Sequence, residues 1–340
     1  MRRSLVFALL LSLSCTPVLA KRAKVQEKGE PIAHIPEAIA FMEEMALRHQ
    51  FDRAALVRLF SEARLKPSIL KAMARPAEIK PWSEYRPLFV EPKRIDLGVR
   101  FWAEHEAALQ RAETQYGVPA SVIVAIIGVE TFYGRNTGSY RVVDALSTLA
   151  FGYPQRAAYF RNELEQYLLL ARETDTPPLS IKGSYAGAMG IPQFMPSSYR
   201  NYGVDFDGDN HRDLWRNPAD AIGSVAHYFQ GKGWQAGAPV LTQATQVAEP
   251  GRELANRGWG YRMPLQEWAL LGAAAKTETP GEAMLLELAG ANGLEHWFAF
   301  ENFYVITRYN HSFHYSMAVW QLSQALDAAR AAFVAHQTTP

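Results

Sequence analysis

Residues 118–130 read VPASVIVAIIGVE, a nearly unbroken apolar run that ends in one carboxylic acid. Pro119 fits the first turn of a helix, where its missing N–H is not required. The spacing therefore predicts a helix from Ser121 to about Tyr133, with Glu130 near its end.

Glu130 is the one acidic residue of this apolar run. At helical spacing Ile126 and Ile127 lie one turn before it, so its carboxyl group is removed from water and its pKa rises. General acid catalysis at neutral pH needs that shift, because an ordinary glutamic acid has already lost its proton. The alternative is structural: Glu130 leaves the helix end for solvent, or it pairs with Arg135.

Helical periodicity continues on both sides of this run. Several prolines interrupt it between the first two segments, Gly117 ends the second, and Pro154 breaks the third. The predicted helical segments are residues 35–73, 97–116, 146–171, 220–231 and 311–333.

The sequence changes in character after residue 236. Residues 237–260 are rich in turn formers, and residues 283–288 and 296–308 show the apolar and aromatic alternation of strands. The sequence therefore predicts a mainly α (α+β) fold, in which a helical body is interrupted by a small β-containing insertion at residues 236–302.

Composition excludes several classes of protein. The chain has 340 residues, which is about two domains. Lys and Arg total 35 and Asp and Glu 34, and the resulting net charge of +1 argues against electrostatic binding of nucleic acid. Cys15 is the only cysteine, so an intrachain disulfide and a thiolate zinc site are excluded. Aromatic residues make up 12% and suit either a core or a groove that stacks on a glycan.

Residues 1–20 have the order of an export signal: a basic start, a short apolar run and a small-residue cleavage site at Ala20. The polar residues 21–31 follow as a tether. The alternative is a buried or anchoring N-terminal helix. We expect a periplasmic protein whose Cys15 is either discarded with the signal or becomes a lipid anchor. Ser12 departs from the usual lipoprotein pattern.

Residues 182–199 combine three glycines with polar and aromatic side chains. Glycine lets a ligand or another backbone approach closely. Ser184 and Gln193 offer hydroxyl and amide groups to a polar ligand. No dinucleotide or phosphate-binding glycine pattern occurs here. The alternative is close helix packing through glycine.

An acidic loop between residues 205 and 220 resembles an EF-hand loop. Its positions 1, 3, 5 and 9 are Asp205, Asp207, Asp209 and Asp213. Alternating oxygen ligands wrap a hard cation, and position 7 contributes a backbone carbonyl, here that of His211.

Two positions depart from the EF-hand pattern. Position 6, usually Gly, is Asn210, a residue type that tolerates the left-handed backbone conformation. Arg216 replaces the closing Glu, so Asp220 is the nearest candidate for that ligand. The alternative is a cluster of Asx turns on a solvated surface.

Six ordered segments together resemble the membrane-bound lytic murein transglycosylase B family. They are 129–134 (VETFYG), 183–190 (GSYAGAMG), 193–199 (QFMPSSY), the acidic loop, 220–226 (DAIGSVA) and 306–312 (ITRYNHS). The resemblance covers residues 30–335. It implies an N-terminal helical domain at 32–95, a lysozyme-like catalytic core at 96–235 that is completed by 303–335, and a small β domain at 236–302.

The resemblance also implies an activity and a set of site residues. Such enzymes cleave the bond between N-acetylmuramic acid and N-acetylglucosamine in peptidoglycan without water and leave a 1,6-anhydromuramoyl end.

The resemblance assigns expected roles to individual residues. Glu130 resembles the single catalytic acid and base. Ser184 resembles the residue that hydrogen-bonds the catalytic region and the muramoyl acetamido group. Residues that resemble sugar contacts are Gln193, Tyr309, Asn310, Tyr315, Tyr85, Tyr159 and Tyr228. Residues that resemble calcium ligands are Asp205, Asp207, Asp209, His211 and Asp220. Catalysis is expected to need no cofactor, and the protein is expected to be a periplasmic monomer, with attachment to the outer membrane through Cys15 left open.

The residues themselves favour a mechanism with one carboxylate. Retaining and inverting glycosidases need a second carboxylate at about 5–5.5 Å or about 6.5–9.5 Å. No Asp or Glu occurs near Ser184 in the glycine-rich segment, and Asp144 is the nearest unexplained acid. Two alternatives remain at this stage. One is a hydrolytic muramidase that uses Asp144 or a bound water, and the other is a peptidoglycan-binding scaffold without catalysis.

Overall fold

The computed structural model describes residues 29–74 and 80–338, and most of their regular structure is helical. The helices in that part of the chain are α1 Pro36–His49, α2 Arg53–Glu62, α3 Pro67–Met73, α4 Trp82–Tyr85, α5 Pro92–Glu104, α6 Glu106–Tyr116, α7 Ala120–Thr131, α8 Val142–Gly152, α9 Ala157–Glu173, α10 Pro196–Tyr202, α11 Pro218–Gly231, α12 Glu249–Arg252, α13 Leu265–Leu270, α14 Glu301–Thr307 and α15 Phe313–Thr338. The predicted mainly helical fold is confirmed.

The strands form two antiparallel sheets. They are β1 Tyr140–Arg141, β2 Lys182–Gly183, β3 Leu241–Val247, β4 Met263–Pro264, β5 Ala273–Ala275, β6 Glu282–Gly290 and β7 Gly293–Ala299. β1 pairs with β2, and the other five form one sheet in the order β4-β6-β7-β3-β5. This second sheet lies wholly within the predicted insertion at 236–302.

Two local predictions are wrong. The strand predicted for residues 296–308 ends at Ala299, because the next residues form α14. In α14 the buried residues fall at 302–303 and 305–307 and leave Tyr304 and Arg308 outward, which is a helical period. The single helix predicted for residues 97–116 is broken at His105, so that α5 packs on α7 and α15 whereas α6 packs on α11.

α7 is the centre of the larger core. Every residue of α7 is buried except Glu130, which is half-buried. Helices α5, α6, α11 and α15 surround it. Ile123, Ile126 and Ile127 have no exposed surface, and each such side chain contributes about 2 kcal/mol through removal of apolar area from water. The burial of this helix therefore fixes where Glu130 emerges.

The helices α1–α3 do not form a core of their own. They share one apolar cluster with α8 and α9, which the sequence assigned to the catalytic core. Ion pairs reinforce this contact, as between Arg161 and Glu44 at 2.7 Å. The smaller cluster around Trp268 and Phe298 lies under the insertion sheet.

The N-terminal predictions fall mostly outside the described residues. The signal at residues 1–20, including Cys15, and residues 21–28 of the tether lie there. The last residues of the predicted tether are bound to the chain after α2. Leu65 N donates to Glu30 O at 2.9 Å, and Pro31 forms an antiparallel β-bridge with Arg64. Within 29–74 and 80–338 no single helix has the length and apolar composition of a membrane span, and only the pair α6 and α7, bent by 115°, passes together.

Candidate active site

Glu130 lies in a cavity of about 480 Å³ between the helices. Tyrosines surround it from distant parts of the chain, and the predicted residues that line the cavity with it are Tyr85, Tyr159, Asn310 and Tyr315. Among the described lining residues Glu130 is the only carboxylic acid. The structure thus brings together five of the residues predicted for the site.

The surroundings of Glu130 favour its protonated form. Burial raises the pKa of its carboxyl group to about 7, and the hydrogen bond from the Tyr315 hydroxyl to Oε1 acts in the opposite direction. Burial also raises the pKa of Tyr315 well above its ordinary value, so this hydroxyl remains a donor. No ion pair joins Glu130 to Arg135 in the described part of the chain. A carboxyl group with this pKa can both give and accept a proton near neutrality.

A tight turn ends α7 immediately after Glu130. Phe132, Tyr133 and Gly134 all have left-handed backbone conformations, with φ of 54°, 61° and 79°. Thr131 stabilises this turn, because its hydroxyl donates to Ile191 O at 2.8 Å and accepts from Gly134 N at 3.0 Å. The chain therefore leaves the helix axis just where Glu130 meets the cavity.

The glycine-rich segment is braced internally. Ser184 Oγ accepts a bond from Ala188 N at 3.0 Å. Gln193 Nε2 donates to Thr137 O at 3.1 Å and to Gly190 O at 2.9 Å. A Cβ on Gly183 would lie 2.2 Å from Ala188 O, so glycine is required there by the close approach of two backbones. Ser184 and Gln193 shape the segment and are not among the lining residues of the cavity.

Tyr228 and Tyr309 have a similar supporting place. The Tyr309 hydroxyl donates to Pro192 O at 2.6 Å, and the Tyr228 hydroxyl donates to Arg308 O at 2.5 Å. Their rings meet edge to face at 4.9 Å. Neither lines the cavity, but both fix the chain that carries Asn310 into it.

Sequence reasoning missed nine of the lining residues, and three of these that differ in chemistry are Phe89, Arg156 and Tyr185. Tyr185 is 41% exposed and lies within the quoted segment GSYAGAMG, so its position next to Ser184 was an available signal. Phe89 belongs to the proline-rich stretch before α5, and no local pattern singles it out. The guanidinium of Arg156 lies 4.5 Å from the ring of Tyr159, and the spacing of three residues from this predicted tyrosine was an available signal.

Asp144 has a structural place. It is 3% exposed and forms an ion pair with Arg141 at 2.9 Å. Its Oδ1 also accepts a bond from Arg64 N at 2.9 Å, which ties α8 to the end of α2. Asp144 does not line the cavity of Glu130. The form of the hydrolytic alternative that uses Asp144 therefore finds no second carboxylate in the described lining, whereas the form that uses a bound water needs none.

The acidic loop gathers three carboxylates. Oxygens of Asp205, Asp207 and Asp209 lie within 4.8 Å of one another. Asn210 at position 6 has φ of 69°, the left-handed conformation expected of it. Asp213 does not belong to this group of three, because its Oδ1 accepts from the backbone N–H groups of residues 215 and 216.

Asp220 ties the two ends of the acidic loop together. It is fully buried, and its two oxygens accept from Phe206 N at 2.7 Å and Asp213 N at 2.8 Å. Burial raises the pKa of Asp220, whereas hydrogen bonds, first that of Asn217, lower the pKa of Asp207. The lowered pKa of Asp207 favours its charged form, and the donor set of hard oxygens in the loop fits calcium.

The helical body around one buried helix, with one acid in an aromatic cavity, defines a glycan-cleaving enzyme of the lysozyme-like class. Residues 35–324 match the transglycosylase SLT domain family. The chain belongs to this family of peptidoglycan lytic transglycosylases. It is 45% identical over 325 residues to membrane-bound lytic murein transglycosylase B of Escherichia coli (strain K12), covering 92% of this chain and 89% of that protein. The resemblance seen in six sequence segments is confirmed.

Two solved structures extend the comparison. The Escherichia coli lytic transglycosylase Slt35 in complex with calcium matches with a TM-score of 0.83 and 44% identity, over 91% of this chain and 98% of that one. SltB3 from Pseudomonas aeruginosa in complex with NAG-NAM-pentapeptide matches with a TM-score of 0.76 and 32% identity, over 85% and 78%. Relatives of this chain therefore bind calcium and a peptidoglycan fragment.

Proposed function

We propose that this enzyme cleaves the bond between N-acetylmuramic acid and N-acetylglucosamine without water, with Glu130 as its only acid and base. The observation that carries the proposal is the environment of Glu130. It is the one carboxylic acid in the described lining of the cavity, and burial holds its pKa at about 7. A hydrolase with two carboxylates would need a second acid about 5–9.5 Å away.

The reaction proceeds in two proton transfers. Protonated Glu130 donates to the glycosidic oxygen as the bond to C1 of the muramoyl sugar breaks, and the acetamido carbonyl of that sugar stabilises C1. The Glu130 carboxylate then takes the proton of the C6 hydroxyl as its oxygen attacks C1. The 1,6-anhydro bond forms, and Glu130 is protonated again. Because one group is acid and then base, its pKa must lie near the working pH.

The other site residues bind and orient. Tyr315 donates a hydrogen bond to Oε1 of Glu130, so that the second oxygen is left to exchange protons with the substrate. Asn310, Tyr85 and Tyr159 contact the sugars from the cavity wall. Hydrogen bonds with main-chain atoms of the surrounding segments are made by Ser184, Gln193, Tyr228 and Tyr309.

We also propose a structural calcium ion in the acidic loop. The carboxylates of Asp205, Asp207 and Asp209 and the backbone carbonyl of His211 would hold it, and it would supply loop stability and no chemical step. Asp220, the nearest candidate for the closing ligand in the sequence, holds the loop ends through both of its oxygens. Its contribution is support of the ligand-bearing segment.

The proposed location is the periplasm, with residues 1–20 as the export signal and the enzyme acting as a monomer on peptidoglycan. Cys15 decides between a released protein and one anchored to the outer membrane. Labelling cells with a radioactive fatty acid separates the two, with Cys15→Ala as the control. Label in the wild type alone indicates the anchor, and its absence from both indicates removal of Cys15 with the signal.

Digestion of purified cell-wall sacculi tests the reaction. We expect mass spectrometry to find 1,6-anhydromuramoyl ends with the wild type and no products with Glu130→Gln. Glu113→Gln, an exposed glutamate on α6, is the matched control and should leave the products unchanged. Reducing ends that carry an added water would identify a muramidase. Bound but uncut sacculi would identify a scaffold, and products from Glu130→Gln would place the acid elsewhere.

A further inference from the structure

The guanidinium group of Arg94 contacts the C-terminal end of α7, where Glu130 lies. Arg94 is in the first turn of α5, and its Nε donates to Gly128 O at 3.1 Å. Its Nη1 donates to Leu88 O at 2.5 Å. The same planar group lies 4.7 Å from the ring of Phe132 and 5.3 Å from the ring of Phe89. Arg94 therefore contacts α7 two residues before Glu130 and the turn that follows α7 two residues after it.

The backbone of Arg94 makes a second link to the same turn. Its carbonyl oxygen accepts a hydrogen bond from the Tyr133 hydroxyl at 2.9 Å. Tyr133 fits between α5 and α7 only because both helices have glycine there. A Cβ on Gly98 or Gly128 would lie 2.4 or 2.6 Å from its hydroxyl oxygen. The left-handed turn after Glu130 is thus built to dock on the first turn of α5.

The electrostatics of this position suit a cation. Gly128 O is among the last four carbonyls of α7, where the helix dipole favours positive charge. Burial lowers the pKa of Arg94, yet a guanidinium remains protonated far above neutral pH. Its hydrogen bonds go to main-chain carbonyls and its faces to aromatic rings, so its role is geometric.

We propose that Arg94 is a positioning residue that fixes the direction in which the Glu130 carboxyl group enters the cavity. The inference rests on the proposed role of Glu130 as acid and base. Phe89 connects Arg94 with the cavity, because its ring lies against the guanidinium group and also lines the cavity. Arg94 therefore sets the distance between the helix that carries the acid and the wall that faces the sugar.

The main test variant is Arg94→Lys, which keeps the charge but loses the planar fork and its stacking. We expect kcat on sacculi or soluble glycan strands to fall about 10- to 100-fold, because a displacement of about 1 Å costs that much. KM should stay within about threefold, since Arg94 is not among the described lining residues of the cavity. The pH profile of kcat/KM should also change, with the Glu130 limb moving to lower pH as water gains access to the carboxyl group.

Two further variants separate positioning from folding. Arg111→Lys is the matched control, because the guanidinium of Arg111 lies 3.8 Å from the Phe206 ring and neither residue lines the cavity. It should change kcat less than twofold whatever its effect on melting temperature. Phe132→Leu removes one stacking partner and should give a smaller loss of kcat in the same direction as Arg94→Lys.

The outcomes are distinct. If Arg94→Lys lowers the melting temperature but keeps wild-type kcat and pH profile, Arg94 is only structural and the inference is overturned. An equal loss of kcat in Arg111→Lys would also overturn it. Both results count only while Glu130→Gln is inactive. If Glu130→Gln retains activity, the proposed function itself has failed, and that failure is seen independently of Arg94.

Discussion

The free energy of unfolding of Glu130→Gln, taken relative to that of the wild type, should be higher at high pH than at low pH. The pKa of this carboxyl group rises from 4.5 to about 7 on folding, because burial disfavours the charged form. Below pH 4.5 the group is protonated in both folded and unfolded states and contributes no difference. As the pH rises, the unfolded state loses the proton first, so folding stability falls until the pH exceeds about 7.

The magnitude follows from that shift. Each pKa unit corresponds to about 1.4 kcal/mol, so the wild type loses about 3 kcal/mol of unfolding free energy between pH 4 and pH 8 at this one group. Glutamine has no proton to lose, and its amide oxygen can still accept from Tyr315. The difference in stability between Glu130→Gln and the wild type should therefore grow by about 3 kcal/mol over this range.

Denaturant unfolding at a series of pH values measures this difference. All other titrating groups are common to both proteins and cancel in the comparison. Glu113→Gln serves as the control, because its exposed side chain is solvated in both states. A difference that stays constant with pH, or that shrinks as the pH rises, would refute the claim that Glu130 is desolvated.

Three further outcomes follow from single contacts. Tyr315→Phe removes the hydrogen bond that lowers the pKa of Glu130, so kcat should fall and the Glu130 limb of the pH profile should move to higher pH; an unmoved limb would contradict this. Calcium at 100 times its dissociation constant should stabilise the fold by about 2.7 kcal/mol, and Asp207→Asn should reduce that gain; identical melting curves with calcium and with chelator would show that the loop is only a turn. Asp144→Asn weakens the ion pair with Arg141 and should cost about 1–3 kcal/mol while kcat per folded molecule is kept; loss of kcat would place Asp144 in the chemistry.

The sequence best predicts those features that depend on residues close together in the chain, namely the helix that carries Glu130 and the acidic loop. The apolar run around Glu130 requires burial wherever the helix lies, so both the helix and the raised pKa follow from residues close together in the chain. The acidic loop is equally local, since alternating aspartates and a left-handed Asn210 meet the geometry of a short loop. In both cases one segment carries the whole argument.

The places of the tyrosines are harder to predict, because a tyrosine serves a groove or a core equally well. Tyr85 and Tyr315 line the cavity, whereas Tyr228 and Tyr309 turn their hydroxyls to main-chain carbonyls. A buried hydroxyl must find a hydrogen-bond partner, and the partners here lie about 80 or more residues away in the chain. The sequence identifies the residue type, but only tertiary packing decides which tyrosine lines the cavity.

The strand predicted through Arg308 failed for a related reason. Aromatic and β-branched residues favour strands over a short window, but Phe303 and Ile306 lie on one face when the chain is helical. That face packs against α15. The packing partner decides whether the segment adopts the helical or the strand period, and this partner is not visible within residues 296–308 alone.

Catalysis by one carboxyl group places two opposing demands on the fold. The group must lose most of its water to titrate near neutrality, and it must still reach the substrate. A buried helix satisfies the first demand and would defeat the second if it continued. The left-handed conformations of Phe132 and Tyr133 end the helix within one turn of Glu130, at a cost of about 1 kcal/mol or more each. Contacts from Arg94 to Phe132 and Tyr133 offset that strain. The strained turn and its docking site on α5 therefore act together, because the turn ends the helix next to Glu130 and the contacts of Arg94 hold the turn in place.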